Sequence, residues 1–82
     1  MNREDVFKII VRNTCEVIPE LNGHDFQSSD RLADLGANSV DRADIVMMTL
    51  ENLSLKIPMV ELHGAKNIGE LANVLHEKLQ SA

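Results

Sequence analysis

The sequence has no Trp, no Tyr and only two Phe, Phe7 and Phe26, in 82 residues. So few aromatics offer no stacking platform for single-stranded nucleic acid and little material for a small β-barrel or sandwich. One cysteine, Cys15, cannot staple a fold, so stability must come from helix packing, which suits a reducing cytoplasm. Cys15 falls in a helical pattern and reads as core filler or as surface-neutral, with a nucleophilic role as the remaining alternative. Bases are scarce, eight against thirteen acids, giving a net charge of −5. That balance repels phosphate backbones and anionic membranes, so neither nucleic acid nor membrane is expected as a partner.

Long apolar runs are also missing. Ile9-Ile10-Val11 is too short for a signal or spanning helix, and Met1 to Asp5 carries charges of both signs. No targeting segment is expected, and a cytoplasmic location follows. Without secretion, the sequon Asn52-Leu53-Ser54 is a chance match. His24, His63 and His76 lack metal-ligand spacing with one another or with Cys15, so no metal site is expected. Nothing in the pattern supports catalysis by the chain's own side chains.

What is present is an ordinary globular share of apolar residues, 44%, enough for one domain over 1–82. Val6, Ile9, Ile10, Asn13 and Val17 recur at helical spacing and predict a helix over 3–18, stopped by Pro19. From Glu20 to Asn38 the chain is turn-rich, and Leu21, Phe26, Leu32 and Leu35 read as pins fastening a long loop over the core, with one helical turn near Arg31 to Ala33. A second helix is expected from Ser39 to about Leu53, its stripe Val40, Ala43, Met47 and Leu50, broadened by Ile45, Val46 and Met48. Beyond Pro58 a single turn, Met59 to Leu62, precedes a last helix over about 68–79 with Leu71, Ala72, Leu75 and Leu79 inward. No strand pattern or internal repeat is visible, and the elements make a small all-α bundle.

The informative stretch is Asp34-Leu35-Gly36-Ala37-Asn38-Ser39-Val40-Asp41. It ends the long loop with a glycine and delivers a serine to the start of the central helix. Ser39 reads either as an N-cap or, if Asn38 takes that role, as a free exposed hydroxyl. A phosphate ester on Ser39 would face unsatisfied backbone N–H groups and the positive end of the helix dipole, where Asp41 also sits favourably. Position alone leaves both readings open.

The octet resembles the 4′-phosphopantetheine attachment motif of acyl carrier proteins, usually Asp-x-Gly-x-Asp-Ser-Leu-Asp. The order and lengths of the elements around it resemble the same family, so the likeness covers essentially the whole chain. It implies a four-helix bundle with a long first loop and a short third helix. It implies that a phosphopantetheinyl transferase, using coenzyme A and magnesium, modifies Ser39. The arm ends in a thiol, so acyl groups would ride as thioesters while the carrier itself catalyses nothing. Tethering would deliver them at high effective concentration to whichever enzyme docks, and a negative second helix would steer toward basic patches on those enzymes.

Asn38 replaces the usual Asp before the serine and removes a charge there, and Val40 replaces the usual Leu. Asp34, Asp41, Asp44, Met47 and Glu51 remain as docking candidates along with Asn38 and Val40. Leu50 stands where many fatty-acid carriers have an acid, and Met59, Val60 and His63 replace a commonly acidic region. Met59, Val60 and Leu62 read either as closing the core or, for Met59 and Val60, as an exposed apolar docking patch. A chain without linkers at either end reads as a discrete monomeric carrier rather than a megasynthase module. It is similar to carriers of polyketide pathways with freestanding acyltransferases, in particular those serving an HMG-CoA-synthase-like β-branching cassette. That likeness implies malonyl from an acyltransferase, decarboxylation to acetyl by a ketosynthase-like decarboxylase, and donation through the HMG-CoA-synthase-like enzyme. The alternatives are a carrier for fatty-acid, amino-acyl or D-alanyl transfer, and a helical interaction domain with no prosthetic group.

Overall fold

Each of the three long helices starts at an asparagine. The computed structural model describes residues 1–81, with α1 over Arg3–Val17, α2 over Ser39–Asn52 and α3 over Ile68–Ser81. Asn2 accepts the Asp5 backbone N–H at 2.9 Å while the Asp5 carboxylate takes the Asn2 N–H in return. Asn38 and Asp41 repeat that reciprocal box at the head of α2. Asn67 accepts the Glu70 N–H at 2.7 Å before α3. Such caps satisfy backbone donors that a helix leaves orphaned in its first turn.

Two 3-10 turns, Pro19–Leu21 and Met59–Leu62, complete the regular structure, and there is no strand among the described residues. The segment expected as a short third helix is the second of these turns. Four residues between Pro58 and His63 are too few to propagate α-helical bonding, so the turn stays in the tighter form. The coarse expectation of an all-helical bundle holds, and its architecture is three α-helices linked through two 3-10 turns. Pro19 ends α1 as expected and opens the first 3-10 turn, whose last two residues fall in the stretch expected as loop.

Val6 and Ile10 of α1, Leu50 and Leu53 of α2, Leu62, and Ile68, Leu71, Ala72 and Leu75 of α3 form the core. Truncating a side chain as deeply buried as Ile10 is expected to cost about 2–5 kcal/mol. The stripe predicted for α2 needs correction. Val40 is 66% exposed and Met47 49%, while Ile45 and Thr49 are fully buried. The helix is apolar around most of its circumference, so spacing alone did not say which arc faces inward. Polar contacts help decide it: buried Asn13 donates to Thr49 Oγ1 at 2.9 Å and to Asn52 Oδ1 at 3.0 Å, pinning α1 to α2.

α2 ends on Ser54, whose φ of 54° is left-handed. The Ser54 N–H donates to Glu51 O at 3.1 Å and the Leu55 N–H to Leu50 O at 2.9 Å, which is the paired bonding of a Schellman cap. Glycine is the usual residue there, since a side chain in that region costs roughly 1 kcal/mol.

The long loop is fastened to α3. The N–H groups of Ile68 and Gly69, both in the first turn of α3, donate to Asp30 O and Ser28 O at 2.9 Å each. A Cβ on Gly69 would stand 2.7 Å from Ser28 Cβ and 2.9 Å from Ser28 O, so only glycine permits this approach. Phe26, Leu32 and Leu35 pack against the core as pins, while Leu21 is half-buried in its 3-10 turn. Bonds from Asp34 N to Arg31 O and from Leu35 N to Leu32 O wind the expected turn near Arg31. Asp30 also accepts the Gln27 N–H at 2.8 Å and meets His24 Nε2 at 3.0 Å. Those two contacts, the backbone one foremost, hold its carboxyl below the ordinary value.

Candidate functional site

The loop reaches α2 through Gly36, whose φ of 100° needs a residue without Cβ, and through buried Ala37. Arg42 Nη1 donates to Ala37 O at 2.8 Å, which ties the last loop residues to the first turn of α2. Asn38 is then the N-cap, in extended backbone, and Ser39 is the first helical residue. This decides between the two readings of the serine. The cap is Asn38, and the Ser39 hydroxyl is exposed with no hydrogen-bond partner among the described residues. An asparagine caps as well as an aspartate, so the geometry survives while one negative charge is absent.

Two further donors are open. The backbone N–H groups of Ser39 and Val40 have no acceptor among the described residues, whereas Asp41 N and Arg42 N bond to Asn38. An alcohol beside two unspent N–H groups at the positive end of a 14-residue helix is well placed to carry a phosphate ester.

Ser39 lies on the lip of a cleft of about 560 Å³ between α2, the Met59–Leu62 turn and the start of α3. Its floor is apolar, with Val46, Leu62 and Leu71. Its other polar lining includes Arg31, Arg42, His63 and Lys66, and no carboxylate lines it. In a chain of net charge −5 that segregation went unread in the sequence, because the cations come from three separate segments.

The remaining site candidates fall in three places. Val40, Asp44, Met47 and Glu51, spaced i, i+4, i+7 and i+11, all lie exposed on one outer face of α2. Asp34 is exposed and pairs loosely with Arg31 at 3.9 Å, and Asp41 is committed to the capping box. Val60 stands out 65% exposed, while Met59 turns in and packs half-buried against the core. The pair therefore splits, and only Val60 offers a free apolar surface. Glu61, beside them, is tied to Lys78 of α3 at 2.7 Å. Cys15 is half-buried, its thiol 3.7 Å from Leu21 O. Among the described residues no group of three His, Cys, Asp or Glu side chains could hold a metal ion, and no helix is long and apolar enough to cross a membrane.

The family model described as "phosphopantetheine attachment site" matches residues 10–75. The chain belongs to that family. It is a carrier rather than an enzyme, and its prosthetic group is covalently attached phosphopantetheine. The exposed serine, the open N–H groups and the adjacent cleft suit such a group. The carrier is 58% identical over 82 residues to the polyketide biosynthesis acyl-carrier-protein AcpK of Bacillus subtilis (strain 168), with 100% of both chains covered. It is also similar to a chain in the crystal structure of the curacin biosynthetic pathway HMG synthase in complex with acetyl donor-ACP. There the TM-score is 0.91 at 51% identity, covering 94% of this carrier and 99% of that chain.

Proposed function

We propose that Ser39 is the attachment point and that the carrier presents malonyl and acetyl groups to a polyketide β-branching cassette. The observation that supports this best is the division of labour between Asn38 and Ser39. Asn38 caps α2, which frees the serine hydroxyl at the point where the helix offers unspent donors. When bound, the arm supplies a thiol on which acyl groups ride as thioesters. Ser39 would anchor it, the N–H groups of Ser39 and Val40 would be available to its phosphodiester, and the cleft would give it a place to rest. The whole chain acts as one carrier domain over 1–82, with the Met59–Leu62 turn in the place of the family's short third helix. It works as a monomer in the cytoplasm.

The cargo follows from the relatives, one a polyketide acyl carrier and the other an acetyl donor held by an HMG synthase. An HMG-CoA-synthase-like enzyme is the partner they favour. A phosphopantetheinyl transferase, an acyltransferase and a ketosynthase-like decarboxylase complete the set. The docking face we assign is Val40, Asp44, Met47 and Glu51 with Val60 beyond, flanked by Asp34, Asn38, Asp41 and Met59. Mixed acids and exposed apolar groups there favour selective docking over the general acidic face of a fatty-acid carrier.

Intact-protein mass spectrometry tests the assignment. Incubation with coenzyme A, magnesium and a broad-specificity transferase is expected to add one phosphopantetheinyl mass to wild type and none to Ser39→Ala. A gain that persists in the variant moves the attachment elsewhere. Loading assays then test the cargo: charging by amino-acyl or long-chain donors alone would overturn the malonyl and acetyl assignment.

A further inference from the structure

Three of the eight basic residues of this acidic carrier, Arg31, Arg42 and Lys66, line one cleft that no carboxylate enters. From this segregation we infer that the cleft beside Ser39 recognises an acyl cargo that ends in a carboxylate, and holds it in preference to a neutral acyl group. The inference rests on Ser39 as the anchor and deepens that reading by naming what the cleft selects.

The cations are available to do this. Lys66 has no carboxylate partner within salt-bridge distance among the described residues, and only its backbone N–H is engaged, by Glu70 at 3.2 Å. Arg31 has one loose partner, Asp34 at 3.9 Å, with both side chains mostly exposed. Arg42 spends a single N–H on Ala37 O and keeps the rest of its fork. The phosphodiester of the arm carries one negative charge and already faces the open N–H groups of Ser39 and Val40. Three cations exceed its needs, and Arg31 and Lys66 belong to other segments than the helix that bears the anchor. The apolar floor formed by Val46, Leu62 and Leu71 receives the uncharged length of the arm, while the cations at the lip meet the far carboxylate. A malonyl thioester has such a group and an acetyl thioester does not.

The change from one to the other then releases the cargo. Decarboxylation breaks the bond between the α-carbon and the carboxyl carbon. CO₂ leaves, and the electron pair stays on the α-carbon as an enolate that takes a proton from water. The hydroxide left in solution carries the negative charge away from the cargo, and the cleft cations lose their partner. The malonyl form occupies the cleft more than the acetyl form, which is thereby the freer for transfer.

The test uses the full carrier loaded on Ser39 from coenzyme A analogues with an amide in place of the thioester, as malonyl, as acetyl and without acyl. Intact mass first establishes loading, so a failed anchor is seen as no mass gain and stays distinct from a failed cleft. Amide ¹H–¹⁵N shifts are then read for residues 42–46 and 63–71. Malonyl is expected to perturb them beyond the other two forms, with a cleft occupancy roughly two- to fivefold higher, the range that exposed charge pairs give. Raising the salt to about 1 M, where charge is screened within about 3 Å, is expected to erase the difference. The Arg31→Gln, Lys66→Gln double variant is expected to erase it too, and both positions are exposed enough to leave the fold intact. Equal shifts for malonyl and acetyl overturn the inference. So does a malonyl effect that survives the double variant. Shifts already complete in the unacylated form assign the cations to the phosphodiester and overturn it as well.

Discussion

The first turns of α2 and α3 use the same capping chemistry and end in opposite states. At α3, Asn67 takes the Glu70 N–H, and the two N–H groups before it are spent on Asp30 O and Ser28 O. Ile68 and Gly69 are buried as a result. At α2, Asn38 takes the Asp41 N–H, yet Ser39 and Val40 keep theirs open at the surface. One helix start is consumed by the fold, and the other is left open at the position proposed for attachment. Backbone donors of equal intrinsic strength differ in role only through what the loop covers: it folds its carbonyls onto α3 and passes α2 by.

That contrast can be broken from either side. The largest effect is expected at the open end: Ser39→Ala abolishes phosphopantetheinylation outright. Because Asn38 carries the cap, stability should move by less than about 0.5 kcal/mol, as for ordinary surface substitutions. A loss of several times that in urea unfolding would mean that the serine is structural after all. At the closed end, Gly69→Ala forces a Cβ against Ser28 and is expected to cost about 1–3 kcal/mol. It should also raise amide exchange at Ile68 and Gly69, and unchanged exchange there would mean that the loop is not held by this contact.

Smaller changes sharpen the contrast. Asn38→Ala removes the cap of α2 and is expected to lower stability by about 1 kcal/mol, while Asn38→Asp should leave it level. The aspartate restores a charge beside the serine, so faster transfer by a broad-specificity transferase is the expected kinetic outcome. A slower rate would show that the transferase favours the neutral cap over an acid. The smallest effect belongs to Asp30, whose carbonyl closes α3 and whose carboxyl is held low by the Gln27 N–H and then by His24. Folding favours the ionised form. Its stabilisation is complete above the unfolded-state value of about 3.9 and is lost as pH falls through the lower folded value. Asp30→Asn should flatten that acid limb in thermal melts taken between pH 5 and pH 2 (from about one unit above the unfolded value to about two below it). An unchanged limb would remove Asp30 from the account.

Much of this was legible in residue order. Helical spacing located α1 and α3, Pro19 and Pro58 punctuated the chain, and the octet from Asp34 to Asp41 pointed to Ser39. The inward arc of α2 was not legible, because Val40 and Met47 are as apolar as Ile45 and only packing distinguishes them. Nor was the fourth helix countable from a stretch as short as Met59–Leu62, where a 3-10 turn and one α-turn have the same sequence pattern. The three asparagine caps, two of them reciprocal boxes, share a pattern visible in the sequence: Asn2, Asn38 and Asn67 each stand three residues before an acid. The cationic cleft carried none, since residues 31, 42 and 66 become neighbours only when the loop is fastened to α3.

α2 is closed at its far end too, by the left-handed Ser54 and its paired bonds. A helix capped at both ends frays less and keeps its length, so it behaves as a gauge block. From Ser39 to Glu51 it measures about 18 Å at the standard rise. An enzyme that contacts Glu51 and reaches for the anchor proposed at Ser39 would meet the same interval on every visit, whatever the cargo.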